Sequence, residues 1–234
     1  MQTTLASCPR NHFYRLYGRA AFIERLSFAE SSAISQHAPM AINLLEDMAG
    51  LRQGETVLIM GAGGNLGSIG IQVAKALGAR VICSAGSEAR VDIGMGFGAD
   101  FGINYNDRDL AIEVASFTGG RGVDVVYDNI ANPNTFPKEI ASMADGGRLV
   151  TAGAHGGPVV ALDADAVAGR GLTLRGGTGR SAEQLSRAMN WAASGKINVH
   201  ISRILPLSAA REAHILMEDP GAGKIVLDPT LDRG

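Results

Sequence analysis

Cysteine is nearly absent from this sequence: 234 residues hold only Cys8 and Cys83, 75 positions apart and with no CxxC pair. That scarcity excludes a disulfide framework and leaves no ligand set for a structural zinc site. A reducing cytoplasm is the expected compartment. Aromatic residues make up only 5% of the chain, and no apolar run approaches the roughly 18 to 20 residues that a membrane-crossing helix needs. Neither sign of charge dominates, since 21 Lys and Arg against 23 Asp and Glu leave an interleaved net charge of −2. A polyanion-binding surface is thereby excluded, and nucleic acid is not an expected partner. The five histidines, at 12, 37, 155, 200 and 214, show no HExxH or other paired-ligand spacing. No bound metal is expected.

What the chain does have is apolar content, at 46%, and 31 glycines scattered at apparent element ends without a period. Its length suffices for one sizeable core, so a soluble globular protein is expected. Residues 1–26 stand apart, with four arginines, one glutamate and no clear period. Their composition is similar to that of an organellar transit peptide, although an irregular lead-in is the commoner state of a terminus. From Ser27 the pattern turns helical. Ser27 and Glu30 have the spacing of a capping box, and Ile42, Leu44, Leu45 and Met48 form an apolar stripe before Gly50, so a helix pair is expected.

Beyond Gly50 the element types alternate. Thr56 to Met60 reads as a buried strand, residues 66–78 as a helix with Leu66, Ile69, Val73 and Leu77 on one face, and Arg80 to Ser84 as a second strand. Helices near 88–98, 108–117 and 134–144 then separate strands at Gly102 to Tyr105, Val123 to Tyr127 and Arg148 to Ala152. Leu172 to Arg175 is a further strand, residues 181–194 and Ser208 to Met217 are amphipathic helices, and Lys224 to Leu227 is a last strand of uncertain partner. Strands joined by helical crossovers imply an α/β fold with a doubly wound parallel sheet, in three α/β/α layers. One domain is expected over residues 27–229, followed by a short tail at 230–234.

The first strand–helix turn reads GAGGNLG, and in the frame Ala62-Gly63-Gly64-Asn65-Leu66-Gly67 it is A-x-G-x-x-G. Each small residue has a task there: Ala62 permits the tight turn, Gly64 lets the backbone approach a pyrophosphate, and Gly67 lets the helix pack closely on the strand. The helix beginning near Leu66 would offer unpaired N–H groups and the positive end of its dipole. No G-K-[ST] follows, which disfavours a nucleoside-triphosphate loop. The turn is therefore expected to bind a dinucleotide, although a Gly-rich turn can also be purely steric. At the tip of the second strand, where an NAD site would carry Asp or Glu, the chain has Ala85-Gly86-Ser87. With no carboxylate to repel a 2′-phosphate, and with Ser87 and Arg90 able to hold it, NADP is favoured over NAD. The alternative is that Glu88 swings back to the ribose.

The run GLRQGETVLIMGAGGNLGSIGIQVAKALGARVICSAGSEAR, with later GADFGINY, GVDVVYDNI, GGRLVTAGA and GKIVLDP, resembles the cofactor-binding half of the medium-chain dehydrogenase/reductase superfamily. Within it the AGGNLG loop is similar to that of quinone oxidoreductases and zinc-type alcohol dehydrogenase homologues. The resemblance implies a Rossmann domain and hydride transfer between NADP(H) and a carbonyl, quinone or enone. It implies that Gly86, Arg90 and Tyr105 surround the 2′-phosphate, and that Asn129 and Ile130, with Gly153, Ala154 and His155, border the nicotinamide. It also implies a homodimer through the edge strand at 172–175. In the family a GroES-like β-domain of about 120 residues precedes this region and carries the substrate pocket and any zinc ligands; here residues 1–26 stand in its place. A truncated dinucleotide-binding module without turnover of its own is thus the alternative to an oxidoreductase. His155-Gly156-Gly157 resembles the oxyanion loop of α/β-hydrolases, but no G-x-S-x-G elbow accompanies it. Asp124 and Asp128, at the ends of the fourth strand, read as turn-capping carboxylates, and neither is assigned a catalytic role.

Overall fold

The structure, a computed structural model, describes residues 26–153, 155–157, 159–199, 201–218 and 223–232. The lead-in up to residue 25, Ala154, His200 and the last two residues of the tail lie outside the described residues.

Apolar runs with β-branched side chains form the sheet. Strands β1 (Thr56–Met60), β2 (Arg80–Ala85), β3 (Phe101–Asn104), β4 (Val123–Asp128), β5 (Met143–Thr151) and β6 (Thr173–Gly176) lie in the order β3-β2-β1-β4-β5-β6. All neighbours in it are parallel. The order reverses between β1 and β4, and in open α/β sheets the ligand crevice lies at that reversal, beyond the carboxyl ends of the strands.

Because strand side chains alternate, β1 feeds two cores. Val57 and Ile59 join the cluster of Val81, Cys83, Val125 and Tyr127, while Leu58 and Met60 join that of Ile82, Ile103, Val126 and Leu149. The first core is closed by α1 (Phe28–Ile42), α2 (Asn65–Ala76), α3 (Glu88–Gly96) and, through Ala188 and Ala192, a later helix. The second is closed by α4 (Leu110–Thr118) and α5 (Phe136–Ser142). The result is the expected three-layer arrangement. Each fully buried Leu, Ile or Val adds about 1.5–3 kcal/mol.

Three features depart from the expectations. The helix pair at 27–50 is one helix: α1 starts at the expected Ser27–Glu30 capping box and runs without a break into a π-turn at Asn43–Met48. There Ala49 N–H donates to Leu44 O at 2.9 Å, which keeps Leu44 and Leu45 both buried. A short helix, α6 (Ala164–Gly169), follows β5 and has no buried residue, so no apolar period marks it. Helix α7 (Ala182–Ala193) closes the first core, and α8 (Ala210–Met217) lies beyond it. The last strand, β8 (Lys224–Asp228), pairs in parallel with an unexpected strand, β7 (Ile201–Pro206), to form a second, two-stranded sheet. Among the described residues, no helix is long and apolar enough to cross a membrane.

Candidate functional site

The crevice is built from the turns that leave β1, β2, β3 and β4. At the end of β1, Gly61 turns the chain at φ +74°, a conformation that excludes most side chains. Ala62 N–H then donates to Ser84 O, and Gly64 N–H to Gly61 O, each at 2.9 Å. Gly64 is the N-cap residue of α2, and no side chain caps that end. Its first-turn N–H groups and positive dipole end are left without a side-chain partner, an arrangement suited to an anion. Gly67 makes this geometry possible: a Cβ there would stand 2.1 Å from the carbonyl oxygen of Gly61 and 2.7 Å from its carbon. Ala62 and Gly67 are buried, and Leu66 packs on the core, so these three contribute backbone shape to the loop.

A cleft of about 180 Å³ opens beside the loop, lined by Gly61, Gly63, Gly64, Ala85, Gly86, Arg90, Tyr105 and Ile130. Six of the fifteen residues singled out in the sequence line it: Gly63, Gly64, Gly86, Arg90, Tyr105 and Ile130. The stem of Arg90 lies on Gly63, where a Cβ would come within 2.8 Å of its own. Across the cleft the hydroxyl of Tyr105 is 3.1 Å from the Cβ position of Gly86, and Asn106 Nδ2 donates to Gly86 O at 2.7 Å. Burial raises the pKa of the Tyr105 hydroxyl, against the pull of the Arg90 charge. Ser87 is the N-cap residue of α3, yet its side chain does not cap the helix. Glu88 is exposed, and no carboxylate lines the cleft among the described residues. Among the described residues, the one charged side chain on its wall is Arg90.

On the other side of Gly61 the turns after β4 and β5 are fastened together. Asn129 is nearly buried, and its Nδ2 donates to Met60 O at 2.8 Å. Gly153 packs so closely that a Cβ would lie 2.5 Å from Asn129 O, with the His155 ring on the other flank, and Gly156 N–H donates to Ile130 O at 2.6 Å. Asp128, fully buried, accepts from the N–H groups of Ile130 at 2.7 Å and Ala131 at 3.1 Å. That capping role is the one expected of it. It also holds Ala131 at φ +51°, the one described non-glycine residue with positive φ. Ala154 lies outside the described residues.

Asn65 faces a second groove, of about 460 Å³, shared with Gly63, His37, Ser68 and Asn198. Burial, helped by the charge of Lys224, lowers the pKa of His37 to about 4, so its ring is neutral at neutral pH. The sequence reading assigned no role to Gly61 in the cleft wall, although Gly61 carries the left-handed signal that a strand-to-loop glycine gives. It also passed over Glu139, buried beneath the crevice with no exposure.

Comparison with known proteins shows the family and the fold. The family described as zinc-binding dehydrogenase matches residues 65–194. Quinone oxidoreductase-like protein 2 of Bos taurus is 31% identical over 87% of this chain and 61% of its own length. A solved NAD-dependent alcohol dehydrogenase superposes with a TM-score of 0.81 at 38% identity, over 87% of this chain and 59% of that one. A mycobacterial protein solved in complex with NADPH superposes with a TM-score of 0.73 at 27% identity, over 86% of this chain and 66% of that one. The chain spans about three-fifths of the length of the curated relatives it matches. Among the described residues, no group of three His, Cys, Asp or Glu side chains gathers to hold a metal ion, and burial raises the pKa of the Cys83 thiol to about 12. The described residues therefore do not fit a zinc site.

Proposed function

Because this chain belongs to the zinc-binding dehydrogenase family, of medium-chain dehydrogenase/reductase type, we propose that it is an oxidoreductase that binds NADP(H) across the carboxyl ends of its six-stranded sheet. The substrate class is a carbonyl, quinone or enone. When bound, the nicotinamide supplies hydride chemistry, and the protein supplies position and charge. The observation that carries the proposal is the cleft beside the β1–α2 turn. Bare backbone at Gly64 admits the pyrophosphate, Gly63 makes room for the Arg90 stem, and Gly67 seats the helix end that faces the ligand. Arg90, Ser87 and Tyr105 hold the 2′-phosphate at a strand tip that carries no acid. Asn129, Ile130, Gly153, Ala154 and His155 border the nicotinamide. A second copy of the chain is the proposed partner at β6, an edge strand of the sheet.

The test is NADPH binding, followed by its fluorescence, beside NADPH oxidation with a quinone or enone. Binding with turnover supports the oxidoreductase, and binding without turnover supports a dinucleotide-binding module. Absence of binding sinks both. Arg90→Ala should raise the Kd for NADPH by about 10- to 100-fold, the worth of a charge-assisted contact of about 1.5–3 kcal/mol, and should change NADH binding less than about threefold. Equal losses for the two nucleotides would remove the 2′-phosphate assignment.

A further inference from the structure

Beneath the crevice lie two carboxyl groups with no solvent exposure, Asp128 at the end of β4 and Glu139 in α5. Their surroundings differ. Asp128 accepts from the N–H groups of Ile130 and Ala131, with the Thr151 hydroxyl at 3.5 Å. Glu139 receives one hydrogen bond, from the Thr135 hydroxyl at 2.9 Å, and its Oε2 has no hydrogen-bond partner. The neighbouring Lys138 points the other way, to Asp109 at 2.9 Å. Among the described residues, the groups coupled to Glu139 by charge are Asp128 and Tyr105, and no cation is among them. Two uncompensated negative charges do not persist side by side in a dry interior. Burial raises the pKa of both groups, but Asp128 is pulled back down by its backbone donors and the Thr151 hydroxyl, whereas Glu139 has the Thr135 hydroxyl alone, so Glu139 is the better holder of a proton.

We propose that Glu139 is a positioning residue for the crevice: a single proton on the buried Asp128–Glu139 pair keeps Asp128 clamped on the Ile130 and Ala131 N–H groups, and loss of that proton releases the turn. The idea rests on the nucleotide occupying the crevice that this turn lines. Ala131 is strained at φ +51°, and Asp128 holds that residue, while the bonds to Met60 O and Ile130 O fasten the flanks of the turn. Repulsion from an ionised Glu139 acts directly on that clamp. Burial, then the charge of Asp128, raises the pKa of Glu139 to about 8, which places the release just above neutral pH.

The experiment titrates the full chain with NADPH between pH 7 and pH 9, a range in which the 2′-phosphate stays ionised. Wild type should lose about tenfold in affinity across the range, the loss expected when only the protonated pair binds. Glu139→Gln, which cannot ionise, should stay flat within about twofold. Parallel profiles for the two proteins would overturn the proposal. Hydrogen exchange at the Ile130 and Ala131 amides of nucleotide-free wild type needs neither a variant nor a ligand. Their protection factors should fall as pH rises through about 8, and constant protection overturns the pair. A fall in protection without NADPH binding at any pH leaves the pair standing and sinks the nucleotide reading instead.

Discussion

Gly67→Ala should weaken nucleotide binding by about a hundredfold and lower stability by at least about 3 kcal/mol. The new methyl carbon would lie 2.1 Å from Gly61 O. That partner is backbone, held by the hydrogen bond from Gly64 N–H, and it has no rotamer by which to retreat. Helix α2 must therefore lift from the strand by more than about 1 Å, which misplaces its first-turn N–H groups. Such a displacement costs about a hundredfold where geometry matters. Gly64→Ala is the control. Its methyl would meet only Gly61 O, at 3.3 Å, so the fold should lose less while the ligand's approach is still blocked. Thermal unfolding and NADPH titration of both variants check this, and a Gly67→Ala protein that melts and binds like wild type would refute the close-packing account.

Glu139→Gln should be more stable than wild type at neutral pH, by about 3 kcal/mol, and equal to it near pH 4. Glu139 has its pKa raised to about 8 in the folded chain, from the ordinary glutamate value once unfolded. The folded protein then binds more protons between those two values. Stability from this group is complete below the unfolded pKa and is lost progressively as pH rises through about 8. The amide keeps the shape and the Thr135 contact without the charge, so the slope disappears. Urea unfolding at pH 4, 7 and 8 measures it. Identical pH slopes in the two proteins would mean that Glu139 takes up no proton on folding.

Where composition and chemistry coincided, the fold was legible. VLIM at 57–60 reads as a strand because nothing polar interrupts it, and both of its faces are buried. The A-x-G-x-x-G turn was legible because small residues carry backbone information in their identity. Asp128 was read as a turn cap for the same local reason. Strand β7 was not legible. In ISRILP a serine and an arginine break the apolar run and a proline ends it, and its middle residues are exposed. Its pairing with β8 comes from tertiary structure that no local pattern encodes. Glu139 escaped because FPKEIAS reads as a polar helix face. Only the packing of α5 against the sheet turns Lys138 outward and Glu139 inward, and a burial of that kind is invisible until the neighbours are placed.

The union of α1 with α7 bears on how the chain is made. Gln184 donates to Asn43 across 141 positions, at 3.1 Å, and Ala188 and Ala192 of α7 cover the face that carries Ile34, Ala38 and Ile42. During synthesis at about 5–20 residues per second, α1 is finished on the order of ten seconds before its partner exists. Helix α2 can shield part of that face sooner, but not all of it. The nascent chain therefore exposes a sticky apolar helix until residue 182 and beyond are made, and slowing elongation before residue 182 should raise its dependence on chaperones.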